Sequence, residues 1–276
     1  MDPVERVRVR SREAGAETER EDLLAVEEPL EIRIRSDARS PTSFVTTMRT
    51  PGRDEDLAAG LLFAEGVLER GSDLLGLAAP DDPRIDPELK ANLLVATLAP
   101  AAFARAEKLR RGTVMGSACG VCGRTSIENV IPADQPPLTT RLSVPAEILR
   151  SLPDRLSSRQ SIFAATGGLH AAGLFDVRGR LDDLAEDIGR HNATDKLVGG
   201  ALRKGRLPLA ESLLLVSGRA GFEIVQKAYG AGIAIVAAVS APSSLAVALA
   251  EAAGMTLVGF LRGERFNVYA HAERIV

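Results

Sequence analysis

The sequence predicts an α/β protein in two parts, a small α+β unit followed by a larger α/β domain whose sheet is covered on both faces. The first sign is alternation. From about residue 210, apolar β-rich runs (212-SLLLVSG, 233-IAIVAAVS, 255-MTLVGFLRG) alternate with short helical stretches (220-AGFEIVQKAYGAG, 242-PSSLAVALAEAAG). That order lays a mostly parallel sheet under helices. The second sign is a different pattern upstream, where two strand-like runs, one amphipathic helix and a third strand precede residue 112. The third is size: 276 residues exceed the usual single domain.

Each element follows from local pattern. Residues 1–25 are rich in Arg and Glu and read as a flexible tail without the apolar core of a signal peptide. In 28-EPLEIRIR the alternation Leu30, Ile32, Ile34 marks a strand with one buried face, and 43-SFVTTMRT completes a hairpin. The stretch 54-DEDLAAGLLFAEGVL opens with acids, which suits a helix N-terminus. A Pro/Asp-rich loop spans 76-GLAAPDDPRIDPELK, then 91-ANLLVATLA returns as a strand and 101-AAFARAEKLRR as a helix ending in cations. The small α+β domain is thus 26–112 and the larger domain 113–276. In the latter, 145-PAEILRSLPDRL starts a helix at Pro145. Next, 162-IFAATGGLHAAGLFD and 180-RLDDLAEDIG read as paired strands, and 191-HNATDKLVGGALRKG as a helix.

Composition excludes several classes. The net charge of −3 and the aromatic fraction of 4%, without Trp, argue against nucleic acid as a partner. The longest apolar stretch, 231–254, is broken by Pro242 and serines, so no membrane span is expected. Two cysteines do not make a disulfide scaffold, and a cytoplasmic location follows as the expectation.

Those two cysteines, Cys119 and Cys122, sit together in 116-GSACGVCG and pose the chemical question. The thiolate is the working form, and Arg110, Arg111 and Arg124 lie near enough in sequence to favour it. Structural zinc wants four ligands, and His170, His191 and His271 form no pair at ligand spacing. The 271-HAE and CxxC fragments match the halves of the zinc-deaminase signature, but in reversed order and with Ala118 in place of proline. A thioredoxin-like motif would open a helix, for which Gly116, Gly120 and Gly123 are poor starters. A loop that carries sulfur fits the glycines better. The turns 166-TGGLHAA, 189-GRHNATDK and 217-SGRAGFE follow strands or open helices, where free N–H groups favour anions. Arg190, Arg219 and the arginines of 260-FLRGER add charge-assisted contacts, so a phosphate-bearing ligand is expected. His170 and His191 are candidate ligand or proton-transfer groups.

With 119-CGVCG, 166-TGGLHAA, 186-EDIGRHNATDKLVG, 217-SGRAGFEIVQKA, 238-AVSAPSSLAVALAEAAGMTLVGF and 268-VYAHAERI assembled, the chain resembles the formate dehydrogenase accessory sulfurtransferase family, FdhD. The resemblance implies a cytidine-deaminase-like three-layer sandwich for the larger domain, without an intrinsic metal, and a homodimer. It implies a persulfide carried on Cys119 with Cys122 as partner, a cysteine desulfurase as donor and formate dehydrogenase as client. The cargo it implies is the molybdenum (or tungsten) bis-molybdopterin guanine dinucleotide cofactor. By the same resemblance Phe260, Leu261, Arg262, Gly263, Glu264 and Arg265 contact that cofactor; Arg190, His191, Ser217 and Arg219, read from the anion-friendly turns, are expected to hold it with them. The alternatives are a cofactor-binding chaperone without catalysis and a zinc-dependent deaminase.

Overall fold

The computed structural model describes residues 1–13, 15–36, 40–112 and 136–276, with backbone alone at 111–112. Cys119 and Cys122 lie outside the described residues. The chain opens with a hairpin, β1 (Val4–Glu13) and β2 (Ala16–Ala25), where the sequence reading expects a flexible tail. The reason is the spacing of the charges. Arg8, Arg10 and Arg12 alternate along β1 and stand opposite Glu21, Glu19 and Glu17 of β2. Arg6–Glu21 closes at 2.7 Å and Arg12–Glu17 at 2.9 Å. Each exposed pair contributes at most about 1 kcal/mol, but the period of two suits a strand as well as it suits disorder.

The smaller sheet has the order β4-β3-β6-β5. Strands β3 (Glu28–Arg35) and β4 (Thr42–Arg49) form the expected hairpin, and helix α1 (Asp54–Ala64) follows. Strand β5 (Leu74–Ala78) and the single turn α2 (Pro87–Lys90) occupy the ends of the segment read as a loop. Strand β6 (Leu93–Leu98) pairs with β3 in parallel and with β5 antiparallel, and α3 (Pro100–Gly112) ends this part. Leu30, Ile32 and Ile34 point to one face, as their alternation requires, and pack with Leu57 and Leu62 of α1.

The larger part begins with α4 (Ala146–Ser157) and α5 (Ser161–Thr166). Helix α5 stands where a strand is expected. The Glu186 carboxylate accepts the N–H groups of Ile162 and Phe163 at 3.2 and 2.7 Å, and so holds its first turn. Strands β7 (His170–Phe175) and β8 (Leu181–Asp187) pair antiparallel as expected, and α6 (Arg190–Arg203) follows. The rest alternates: β9 (Leu213–Val216), α7 (Phe222–Gly230), β10 (Ile235–Ala238), α8 (Ser244–Ala252), β11 (Thr256–Arg262) and β12 (Arg265–Ala270). The sheet order is β12-β11-β10-β9-β7-β8. Only β9, β10 and β11 are mutually parallel. The flanks are antiparallel because short turns join β7 to β8 and β11 to β12, and a tight turn can only reverse the chain.

Side-chain alternation in the central strands builds two cores. Leu214, Val216 and Val236 pack under α6, α7 and α8, whereas Leu213, Leu215 and Ile235 pack against Leu149, Leu152 and Leu156 of α4. The domain is therefore a three-layer α/β sandwich. The two parts join where α1 crosses α6. Gly60 and Gly199 meet the opposing backbone so closely that a Cβ on Gly199 would lie 1.9 Å from the Asp56 carbonyl oxygen. Arg53, in the left-handed region at φ 58°, spans the joint to Asp183 (2.9 Å) and to the carbonyls of Leu184 and Lys196 (2.7 and 3.2 Å).

Candidate functional site

Parallel strands that start together also end together, so the segments leaving β9, β10 and β11 emerge along one edge of the sheet. They are bonded to one another there. Ser240 N–H donates to the Gly218 carbonyl at 3.3 Å, and Phe260 N–H donates to the Ser240 carbonyl at 3.1 Å. Because β7 runs against β9, its first residue, His170, lies at this edge, as does the end of β8 that leads into Arg190 and His191. The topology thus gathers Arg190, His191, Ser217, Arg219 and Phe260, which are scattered over 71 positions of the sequence, and adds His170.

The individual side chains differ in what they have left to offer. Ser217 Oγ accepts the Ala171 N–H at 2.9 Å, which leaves the hydroxyl proton for another acceptor. Arg219 is exposed and forms no ion pair among the described residues. Arg190 is half-buried, and its Nε is buried with no hydrogen-bond partner among the described residues. A buried guanidinium N–H without an acceptor costs about 1–3 kcal/mol, a deficit that an anion would remove. Gly218 sits between Arg190 and His170. A Cβ there would lie 3.4 Å from His170 Nδ1 and 3.5 Å from Arg190 Cδ, so the glycine leaves room for a group that any side chain would occupy. The orphaned N–H belongs to the side chain that flanks this glycine.

Below this edge lies a layer of buried charge of which the sequence reading singled out His191 alone. His191 Nε2 is 3.2 Å from the Glu223 carboxylate. Burial pushes the imidazole down to about 4, with Glu223 opposing and Arg190 reinforcing the shift, so His191 is neutral at pH 7 and the contact is a hydrogen bond to a carboxylate. Lys227 pairs with Asp195 at 2.6 Å, and burial pushes that carboxyl up while Lys227 opposes it. Lys196 pairs with the fully buried Asp187 at 2.7 Å and also donates to the Thr50 carbonyl at 2.9 Å. Asp195 and Lys196 interrupt the apolar middle of α6, which was the available signal. Which face each one shared with a partner was not readable from one helix.

The segment 260–265 comprises the end of β11, the turn Gly263–Glu264 and the first residue of β12. Phe260 takes a left-handed φ of 53° and is half-buried. Leu261 is turned into the α4 core at 0% exposure, so it offers no exposed surface to a ligand. Arg262, Gly263, Glu264 and Arg265 are exposed. The turn is held from two sides, by Arg262 Nε donating to the Val239 carbonyl (2.9 Å) and by Arg150 Nε donating to the Glu264 carbonyl (3.1 Å). His271 lies at the opposite end of β12, bonded to Glu273 and to the Glu251 carbonyl, each at 3.0 Å. Pro136 and Leu138 lie on that far edge. Tyr229 donates to the Pro136 carbonyl at 3.0 Å, and Leu138 N–H donates to the Ala253 carbonyl at 2.9 Å. Among the described residues no helix is long and apolar enough to cross a membrane.

Comparison with known proteins agrees with this arrangement. The model of the FdhD/NarQ family matches residues 25–276. A sulfur carrier protein FdhD from Streptomyces coelicolor is 49% identical over 263 residues, covering 95% of this chain and 92% of that one. The protein of the same name from Mycobacterium tuberculosis is 46% identical over 273 residues, with 97% of each chain covered. A crystal structure from Desulfotalea psychrophila, described as a candidate formate dehydrogenase accessory protein, superposes over 100% of both chains with a TM-score of 0.73 and 25% identity. The chain belongs to the FdhD/NarQ family.

Proposed function

We propose that this protein is a sulfurtransferase that receives sulfur from a cysteine desulfurase. It passes that sulfur to the molybdenum (or tungsten) bis-guanine-dinucleotide cofactor of formate dehydrogenase. The carrying observation is the sheet edge, which carries a partnerless Arg190 Nε beside Gly218 and, further along at the end of β11 and the start of β12, the exposed Arg262 and Arg265. An edge of this kind suits a ligand with pyrophosphates. The sulfur-carrying half rests on the CxxC and on relatives named as sulfur carriers.

The chemistry runs through Cys119. Its thiolate attacks the outer sulfur of the donor persulfide, the donor S–S bond breaks, the donor cysteine leaves as thiolate, and Cys119 keeps the sulfur as its own persulfide. Cys122 relays that sulfur or resolves the persulfide. In the second case its thiolate attacks Cys119 Sγ and displaces sulfide, and the two cysteines are left as a disulfide for a cellular dithiol to reduce. Meanwhile Arg190, Arg219 and Ser217 donate to the cofactor's phosphates, and His191 stays neutral and held by Glu223. The cofactor is cargo, bound by a cytoplasmic homodimer.

Intact mass after incubation with a cysteine desulfurase and cysteine tests the reading. A reductant-sensitive gain of sulfur that Cys119→Ala abolishes is the expected result. A full gain of sulfur in Cys119→Ala would remove that residue from its role, and no gain in the wild type would leave a chaperone that only holds the cofactor.

A further inference from the structure

The sheet edge holds one side chain that the nucleotide reading has not used. His170 begins β7, half-buried, and its imidazole has no hydrogen bond among the described residues. Across Gly218 it faces Arg190, since the missing Cβ would touch both His170 Nδ1 (3.4 Å) and Arg190 Cδ (3.5 Å). Two nitrogen-bearing side chains on different elements therefore flank one cradle, and the glycine keeps it open.

Building on the proposal that this edge binds a guanine dinucleotide, we infer that His170 is a further contact for the anionic group at Arg190 and Gly218, and that it takes up a proton from solvent as that group binds. The charged groups around it permit this. Asp187, its cross-strand partner on β8, is fully buried and already engaged by Lys196 at 2.7 Å, Gly189 N–H at 2.9 Å and Asn192 at 3.0 Å. From α6 come the Arg190 cation and the neutral His191, and from α7 comes Glu223, held by His191. From the segment after β9 come Ser217 and the exposed Arg219. Both of these carboxylates, Asp187 and Glu223, are already engaged, by Lys196 and His191. Burial, and then the Arg190 charge, push the His170 imidazole below its ordinary value, so the free protein holds it neutral. A pyrophosphate brings negative charge to both Arg190 and His170, which reverses the second effect and offsets the first. The cradle then presents a guanidinium on one side and an imidazolium on the other.

Binding must therefore weaken as pH rises through the His170 value of the complex, by at most about tenfold per pH unit for one linked proton. The probe is diguanosine 5′,5′-pyrophosphate, whose phosphates are diesters that do not titrate near neutrality. Calorimetry on the full chain, in buffers of different ionisation enthalpy, reads proton uptake directly, and thermal melts check that His170→Asn and His170→Gln are folded. Net proton uptake by the wild type, with its loss and a pH-flat affinity in both variants, is the result expected. A variant that binds as tightly as wild type with the same pH slope overturns the role of His170 while leaving the nucleotide reading intact. No binding by the wild type overturns the nucleotide reading itself, and this inference with it.

Discussion

Replacing Gly199 with alanine sets two opposite effects against each other, and the structure says which should win. Gly199 lies inside α6, where glycine costs about 1 kcal/mol relative to alanine by helix propensity. On local grounds the substitution stabilises. The added Cβ, however, would sit 1.9 Å from the Asp56 carbonyl oxygen and 2.4 Å from the Gly60 nitrogen, when contacts under 3.0 Å are essentially never found. Both atoms belong to the backbone of α1, so no rotamer change relieves the clash, and the helices must part by about 1 Å. Overpacking of this kind costs about 1–3 kcal/mol, and parting the helices also stretches the Arg53 bonds to Asp183 and to the Lys196 carbonyl. With ~1 kcal/mol for the weakened Arg53 bonds set against the propensity gain, a net loss of about 1–3 kcal/mol is expected, or a fall in Tm of about 2–12 °C at ~2–4 °C per kcal/mol. Thermal and urea unfolding followed by circular dichroism would measure it. Gly60→Ala should behave alike, because its Cβ would lie 2.0 Å from the Asp195 carbonyl oxygen. The double variant should lose less than the sum, since one separation relieves both clashes. A Gly199→Ala protein that melts at or above the wild-type temperature would refute the reasoning and leave helix propensity in charge.

Three further outcomes follow from the buried charge and the turn. Lys196→Met leaves Asp187 buried without its ammonium partner at 2.7 Å, a loss of about 3–5 kcal/mol, read as a lower urea midpoint at an unchanged slope. His191 is held near 4 in the folded chain against 6.5 when free, so as pH falls the unfolded state takes up the proton first. Stability is thus present above 6.5 and is lost between 6.5 and about 4, on the order of 2–3 kcal/mol, and urea midpoints against pH should show a shallower acid limb in His191→Leu. Arg150→Ala removes the bond to the Glu264 carbonyl and the guanidinium stacked 5.8 Å from the Phe266 ring centre. It should weaken diguanosine pyrophosphate binding by about three- to tenfold with Tm nearly unchanged, as calorimetry beside a thermal melt would show.

Much of the fold was legible in one dimension because it depends on period. Leu30, Ile32 and Ile34 alternate and Leu213 to Val216 run unbroken, so most strands of both sheets could be placed from the residues alone, β5 excepted. The acids at 54–56 and Pro145 marked helix starts for the same local reason. Where two local readings share one pattern, the sequence was silent. The alternating arginines of residues 6–12 suit a charged tail and a strand equally, and only the glutamates across the hairpin decided between them. Likewise 161–166 became a helix because Glu186, more than twenty residues away, caps it.

The site divides along the same line. The reading of Cys119 and Cys122 as chemical groups, and of Arg190, Ser217 and Arg219 as anion contacts, rests on residue type and on neighbours in sequence. That His170 faces Arg190 across Gly218, that Leu261 turns inward while Arg262 does not, and that burial keeps His191 neutral beside Glu223 are decided by tertiary structure. The sheet order sets which strand ends share an edge, and burial sets which charges must find partners. Neither is a property of any segment read alone.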